Sequence, residues 1–277
     1  MPGPTKPMTL SELRRRLSDA GIEEAEPEAR LLFSHVTGLP AHRLIGCDPD
    51  CSDLALDALL ARRLEHIPLA YLLGEAAFYR ETYRVTPDVL IPRADTELLV
   101  DEAIKRLPAG ARFADLCCGS GCIGISVLKN RPDLTCEAID LSPAAVALTR
   151  ENGERNGVSD RLAVSCADLF ALPADFSGYD AILSNPPYIA RSVVPTLSPE
   201  VQNEPATALD GGKDGLAFYR EIVRRLPSLL VSGGVALLEI GYDQADAVTK
   251  IFSGIGCAPS ILSDYGGNPR LAVLTRR

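Results

Sequence analysis

Apolar residues recur at helical spacing from the start of the chain. Leu10, Leu13 and Leu17 follow Thr9-Leu-Ser-Glu12, a capping box, and predict a helix over about residues 9–20 that ends at Gly21. A second helix is predicted over 27–37, with Pro27 in its first turn and Gly38 at its end. A third, over 52–66, would turn Leu54, Leu56, Leu59, Leu60 and Leu64 inward, with Pro68 beyond it. Short links between amphipathic segments make residues 1–70 a small helical bundle.

After Gly74 the pattern changes. Segments 77–86 and 88–91 are β-branched or aromatic with turn residues between them, and predict a hairpin. From about 96 onward, strand-like runs at 112–116, 135–139, 162–166, 179–184, 234–240, 258–263 and 270–275 are separated mostly by helical patterns. Those patterns fall at 96–107, 122–130, 143–155, 215–231 and 243–252. This alternation predicts an α/β fold, a mainly parallel sheet with helices on both faces. Only Asp264 to Pro269 separates the last two strands, so that edge is expected to be an antiparallel hairpin. About thirty residues between Ser184 and Gly215 exceed what a connection needs, and loops of that length are usually functional.

Composition narrows the class. A chain of 277 residues, 46% hydrophobic and 23% charged, is expected to fold as one large domain with a small one. No apolar run reaches the roughly 18 residues of a membrane helix, and the opening MPGPTKPMTL lacks a signal-peptide core. A cytoplasmic protein with no membrane partner is therefore expected. The eight cysteines (Cys47, Cys51, Cys117, Cys118, Cys122, Cys136, Cys166, Cys257) are scattered through a large chain and are expected to be free thiols. Cys117, Cys118 and Cys122 lack the paired spacing and histidine partners of a zinc site, so no metal is expected. The net charge of −9 argues against gripping nucleic acid through phosphates, and the balance is negative both over residues 1–75 and over the remainder.

The chemistry gathers where strands run into loops. In Phe113-Ala-Asp-Leu-Cys-Cys-Gly-Ser-Gly-Cys-Ile-Gly124, a strand meets glycines and then a helix whose free N–H groups suit a ligand. Gly119, Gly121 and Gly124 satisfy G-x-G-x-x-G, and Asp140 lies about twenty residues on, where a ribose-binding acid belongs. That pattern fits a dinucleotide as well as S-adenosylmethionine. Asp115 favours the methyl donor, whose ammonium group it could help to hold directly or through water. Asp168 and Leu169 follow the third strand, where an acid can meet the adenine amino group and an apolar side chain its ring.

Asn185-Pro186-Pro187-Tyr188 is the most specific feature. Two prolines remove backbone donors and fix φ, so the Asn185 carboxamide and the Pro186 carbonyl can project rigidly into a cleft. An amide or aromatic amine nitrogen is a poor nucleophile because its lone pair is delocalised. Two carbonyl-type acceptors that take its N–H bonds would aim that lone pair at a methyl group, and positioning with electrostatics would supply most of the catalysis. No strong base is required, which suits a chain whose histidines, His35, His42 and His66, all lie in the helical region.

In these motifs the chain resembles the peptide chain release factor glutamine N5-methyltransferases. The resemblance rests on Val89-Leu-Ile-Pro-Arg-Ala-Asp-Thr-Glu97, Asp115 to Gly121, Asp140, Asn185 to Tyr188, Glu204-Pro205 with Ala208-Leu209, and Glu239-Ile-Gly241. It implies a helical substrate-recognition domain at 1–74, a hairpin linker at 75–94, and a seven-stranded, Rossmann-like methyltransferase domain at 95–277. It also implies methylation of the glutamine in the Gly-Gly-Gln motif of class 1 release factors, by a monomer using S-adenosylmethionine. By position, the donor would meet Asp115, Cys117, Cys118, Gly119, Ser120, Gly121, Asp140, Asp168, Leu169 and Asn185. The acceptor glutamine would meet Asn185, Pro186, Pro187 and Tyr188, with Phe78, Arg93 and Glu97 lining or bracing the cleft. Ala94 stands where the family usually has proline, Cys117-Cys118 replace smaller residues, and Leu169 offers no aromatic ring to the adenine.

Three other readings share these motifs. A ribosomal-protein glutamine is an alternative acceptor, the exocyclic amine of adenine or guanine suits Asn-Pro-Pro-Tyr as well, and a dinucleotide-dependent dehydrogenase shares the glycines. The acidic balance counts against the second, and the Asn-Pro-Pro-Tyr turn has no task in the third.

Overall fold

The structure, a computed structural model, describes residues 7–254 and 258–276; Cys257, expected to be a free thiol, lies outside the described residues. The other seven cysteines are free. The chain forms two compact units. One ends at Gly74 and takes in Pro199–Asn203; the other comprises Glu75–Ser198 and Glu204 onward.

The first unit is built on α1 (Leu10–Asp19), α2 (Ala25–Thr37), α3 (Leu54–Leu64) and α4 (Leu69–Leu73). Thr9 caps α1 by accepting the Glu12 N–H at 3.1 Å, and Gly38 ends α2 in the left-handed conformation. Leu13, Leu17, Leu32, Phe33 and Leu60 are fully buried, each contributing about 1.5–3 kcal/mol by leaving water. The third helix is shorter than its apolar run suggests, because Asp53 caps it through the Ala55 N–H, and Leu54 stays exposed. The helix α4 and the pairing of β1 (Met8–Thr9) with β2 (Asp50–Cys51) are too short to produce a periodic signal.

Arg63 is the largest departure from the apolar pattern. It is 1% exposed and donates to both oxygens of Glu28, at 2.6 and 3.0 Å, and to Glu200. Asn203 donates to the His66 carbonyl at 3.1 Å, so the segment 199–203 is tied to this unit at both ends.

In the second unit a hairpin of β3 (Glu75–Phe78) and β4 (Glu81–Arg84) precedes α5 (Glu97–Arg106). Both hairpin strands thus lie inside 75–84; residues 88–91, expected as a strand, form an irregular segment. The order continues with β5 (Arg112–Leu116), α6 (Cys122–Asn130), β6 (Thr135–Asp140), α7 (Pro143–Arg155), β7 (Leu162–Cys166) and β8 (Tyr179–Ser184). The long connection then holds the single turns α8 (Pro199–Gln202) and α9 (Ala206–Leu209). It is followed by α10 (Ala217–Leu229), β9 (Leu230–Glu239), α11 (Ala245–Ser253), β10 (Ser260–Ser263) and β11 (Pro269–Thr275).

The seven-stranded sheet has the order β10-β11-β9-β8-β5-β6-β7, parallel from β9 through β7, with β11 antiparallel to β9 and β10. Two apolar layers cover it. Leu99, Val100, Ile125 and Leu128 belong to one, and Tyr219, Ile222, Val248 and Phe252 to the other. After β5 the chain runs outward to β7 and then returns to β8 on the other side of β5. A crevice opens at such a reversal, beyond the carboxyl ends of the strands. Leu116 is aligned with Ile139 and with Ser184, so Cys117, Asp140 and Asn185 emerge side by side at that edge.

The turn from β5 into α6 needs Gly121 for two reasons. Its φ is +79°, and a Cβ there would sit 2.7 Å from Thr149 Cγ2. Gly121→Ala is expected to lower stability by at least about 2 kcal/mol in urea unfolding, from left-handed strain plus overpacking; an unchanged midpoint would show that the turn can yield. In the first unit, Arg63→Ala is expected to cost about 3 kcal/mol by leaving Glu28 unpaired at a mostly buried position. Arg63→Lys should recover only part of this, because one ammonium cannot reproduce the forked contact.

Candidate active site

A cavity of about 340 Å³ opens at the reversal point. Its wall is formed by 88–93, Thr96, the glycine turn, the ends of β6 and β7, Asn185, Pro187, Thr207, Ala208 and Phe218. That volume lies within the usual range for small-molecule sites.

The glycine turn is held from several sides. Cys118 N–H donates to the Ile139 carbonyl at 3.0 Å, and Thr149 donates to the Gly119 carbonyl at 3.0 Å. Asn152, fully buried on α7, donates to the carbonyls of Ser120 and Arg84 at 2.9 and 3.0 Å and accepts from the Arg84 N–H at 2.7 Å. One side chain therefore clamps the hairpin's end to the turn. It carried no motif, because its role depends on three segments distant in sequence. Cys117 has φ +60°, a left-handed conformation unusual for a residue with a Cβ.

Two acids stand at this turn. Asp140 accepts the N–H groups of Gly119 and Ser142, each at 2.9 Å, and lines the cavity; burial raises its carboxyl above the usual range despite those bonds. Each of its oxygens retains a lone pair for a ligand hydroxyl. Asp115 is fully buried, accepts the Gly124 N–H at 2.9 Å with one oxygen, and its other oxygen has no hydrogen-bond partner in the structure. Burial pushes this carboxyl up to about 7. Asp115 is not part of the wall; it supports the first turn of α6 from beneath, where a Cβ at Gly124 would lie 3.0 Å from it.

Cys117, Cys118, Gly119 and Ser120 line the cavity, as do Asp168 and Leu169, whereas Gly121 is the cap residue just behind it. Asp168 accepts the Phe170 N–H at 2.8 Å, which turns the chain so that Phe170 meets Phe218 edge-on with centroids 5.3 Å apart. Both rings belong to the wall, so the aromatic surface missing at position 169 is supplied by its neighbour and by α10. Phe218 lies nearly fifty residues on and had no local signal.

On the opposite side, Asn185 and Pro187 line the cavity, while Pro186 is buried and Tyr188 packs into the second apolar layer. The Asn185 Nδ2 donates to Thr96 Oγ1 at 3.2 Å, and the Tyr188 hydroxyl donates to Glu239 Oε1 at 3.4 Å. The backbone of this turn is gripped closely. Gln244 Nε2 donates to the Tyr188 carbonyl at 2.8 Å, and a Cβ on Gly215 would fall 2.3 Å from that carbonyl oxygen. Arg93 also lines the cavity and pairs with buried Glu204, which in addition accepts the Ile91 N–H at 3.0 Å. Phe78 and Glu97 do not reach the wall. Phe78 is buried edge-on to Tyr83, and Glu97 accepts the Tyr79 N–H at 2.8 Å, which anchors the hairpin turn to α5.

Among the described residues, no group of His, Cys, Asp and Glu is arranged to hold a metal ion, and no helix is long and apolar enough to cross a membrane.

Comparison with known proteins agrees with both units. Residues 9–74 match the "PrmC N-terminal domain" family and residues 94–212 the "Methyltransferase small domain" family. A "Release factor glutamine methyltransferase" of Geobacter sulfurreducens is 41% identical, with 89% of this chain and 88% of the relative covered. One of the same description from Moorella thermoacetica is 36% identical, with 97% of each covered. A methyltransferase structure from Pyrococcus furiosus, 16% identical with a TM-score of 0.54, covers 70% of this chain and 88% of its own and shares the fold. With identity of this extent along nearly the whole length, and with the sheet and cavity found here, the chain belongs to the release factor glutamine methyltransferase family, within the class I methyltransferases.

Proposed function

We propose that this chain transfers a methyl group from S-adenosylmethionine to the side-chain amide nitrogen of the glutamine in the Gly-Gly-Gln motif of class 1 release factors. The observation that carries the reading is the presence of Asn185 and Pro187 in the wall of the same cavity as Asp140 and the glycine turn. A donor end and an acceptor end thus share one small space.

The residues fit the donor. Asp140 keeps free lone pairs for ribose hydroxyls, Phe170 and Phe218 offer rings and Leu169 an apolar face to an adenine, and Asp168 stands beside them. Asp115 stays behind the wall and, through the Gly124 N–H, holds the α6 turn against which the donor's amino-acid end would lie. When bound, S-adenosylmethionine supplies an electrophilic methyl carbon on a positively charged sulfur.

At the acceptor end, the Asn185 Oδ1 and the Pro186 carbonyl take the two hydrogens of the glutamine carboxamide and turn its nitrogen lone pair toward that carbon. S-adenosylmethionine, held at Asp140 and the glycine turn, would supply the methyl carbon and retain the electron pair of its broken S–C bond, giving N-methylated glutamine and S-adenosylhomocysteine. Positive charge grows on nitrogen, and the same two acceptors favour it. One proton then leaves to water, since an alkylated amide nitrogen is strongly acidic. Arg93, held by Glu204, braces the 91–93 segment on the donor side. Choice of the protein partner falls to the helical unit, which matches the family's N-terminal domain.

Incubation with a purified release factor and isotopically labelled donor, followed by peptide mass mapping, tests the reading. A single methyl on the Gly-Gly-Gln glutamine is expected, and a label on a ribosomal protein or nucleic acid instead would overturn it. Asn185→Ala should bind donor within about threefold of the parent, yet lose at least about a hundredfold in kcat. Asp140→Ala should show the converse emphasis, with donor affinity falling by about tenfold or more in calorimetry.

A further inference from the structure

The proposed reaction, on which this inference rests, needs the Asn185-Pro-Pro-Tyr188 turn to keep its place while an acceptor arrives. Its entry is fixed by β8 and by Asn185 Nδ2, which donates to Thr96 at 3.2 Å. The two prolines carry no N–H, so the backbone at 186 and 187 can be held from outside only through its carbonyls.

Gln244 holds the exit of this turn. It is the N-cap of α11, a position where Ser, Thr, Asp or Asn ordinarily caps with its side chain, yet Gln244 makes no such bond. Its backbone alone starts the helix, with its N–H on the Gly241 carbonyl and its own carbonyl accepting from Val248, each at 2.9 Å. The side chain reaches back instead. Nε2 donates to the Tyr188 carbonyl at 2.8 Å and to the Gly215 carbonyl at 3.3 Å, while Oε1 accepts the Gly241 N–H at 3.0 Å. The Tyr219 hydroxyl, which gives its hydrogen to the Glu239 carbonyl at 2.8 Å, lies 3.4 Å from the same oxygen. These partners permit one orientation of the amide, since carbonyls only accept and a backbone N–H only donates.

Glycines make room for the contact. The φ of Gly215 is +74°, and a Cβ there would stand 2.3 Å from the Tyr188 carbonyl oxygen and 2.8 Å from Gln244 Nε2. A Cβ on Gly211 would stand 2.8 Å from both the Pro187 carbonyl oxygen and Tyr188 Cα. One half-buried side chain thus ties the exit of the turn to the segment before α10 and to the segment after β9.

We propose that Gln244 is a positioning residue for methyl transfer, whose amide fixes the exit of the turn so that Asn185 and the Pro186 carbonyl meet the acceptor nitrogen in a set geometry. Gln244 is absent from the cavity wall and acts through the turn alone. Its contribution therefore falls on the chemical step and not on donor binding. A misplacement of about 1 Å at reacting groups can cost about a hundredfold in rate, so a modest loosening of the turn is enough to register.

Two measurements test this, one of them independent of the acceptor's identity. Gln244→Met keeps the length of the side chain and removes its hydrogen bonds. It should bind donor within about threefold of the parent, while kcat on the release factor falls by about tenfold or more. Gln244→Glu, equal in size, keeps an oxygen for Gly241 and sets a second against two carbonyls, so its loss should be at least as large. In hydrogen exchange read by mass spectrometry, the amides of residues 188–191 should exchange faster in both variants, with those of 117–124 unchanged. If Gln244→Met does not fold, Gln244→Glu carries the same test. An unchanged kcat in a folded variant, unchanged exchange over 188–191, or a donor affinity that falls in step with kcat would overturn the assignment. Failure of the parent to methylate the release factor would instead remove the reading of the substrate, with exchange still deciding whether Gln244 holds the turn.

Discussion

Everything at the cavity depends on the register of β5 between β6 and β8. Leu116 lies opposite both Ile139 and Ser184, and the Ser184 hydroxyl adds a 2.7 Å bond to the Leu116 carbonyl. Parallel strands in register end at the same level, so the residues that follow them emerge together. A one-residue slip in either pairing would send Asp140 or Asn185 toward a helix layer instead of the crevice. The two apolar layers oppose such a slip, because alternate residues of β5 are fully buried on each face: Phe113 in one layer, Ala114 and Leu116 in the other.

Within that frame the site is a set of buried polar groups, each costly alone. Asp115, Asp140 and Glu239 all have carboxyls raised by burial, and two of them retain an oxygen without a hydrogen-bond partner. Cores avoid such arrangements unless another demand outweighs the cost. Here the same low dielectric that penalises these groups strengthens their hold on any cation or hydrogen-bond donor brought to the cavity. The glycines and prolines serve the same end by different means. Glycines at 121, 124 and 215 allow backbone and side chains to approach more closely than a Cβ permits, while prolines at 186 and 187 keep the acceptor segment rigid.

Much of this architecture is legible in the amino-acid pattern. The seven strands, the five long helices of the second unit, the left-handed stop at Gly38 and the antiparallel last edge all follow from periodicity and turn residues acting within a dozen positions. Where the local signal was short or shared, it misled. Residues 88–91 read as a strand because they are β-branched and aliphatic, yet they form irregular wall, since no neighbouring strand is available to pair with them. Leu54 read as inward because it matched the apolar spacing, but Asp53 starts the helix at a phase that leaves it exposed.

The chain by itself determined the order of elements and which motifs lie at strand ends, because hydrophobic period, capping and the φ preferences of glycine and proline are properties of neighbouring residues. Tertiary structure alone decided which distant side chains meet. Asn152 clamps the glycine turn to the hairpin, Phe218 completes the aromatic wall, Arg63 joins Glu28 to Glu200, and the Thr96 hydroxyl accepts from the Asn185 carboxamide. Each partnership closes over a separation of between about thirty and almost one hundred and forty residues. Such contacts depend on the packing of whole layers, and a local pattern carries no record of them.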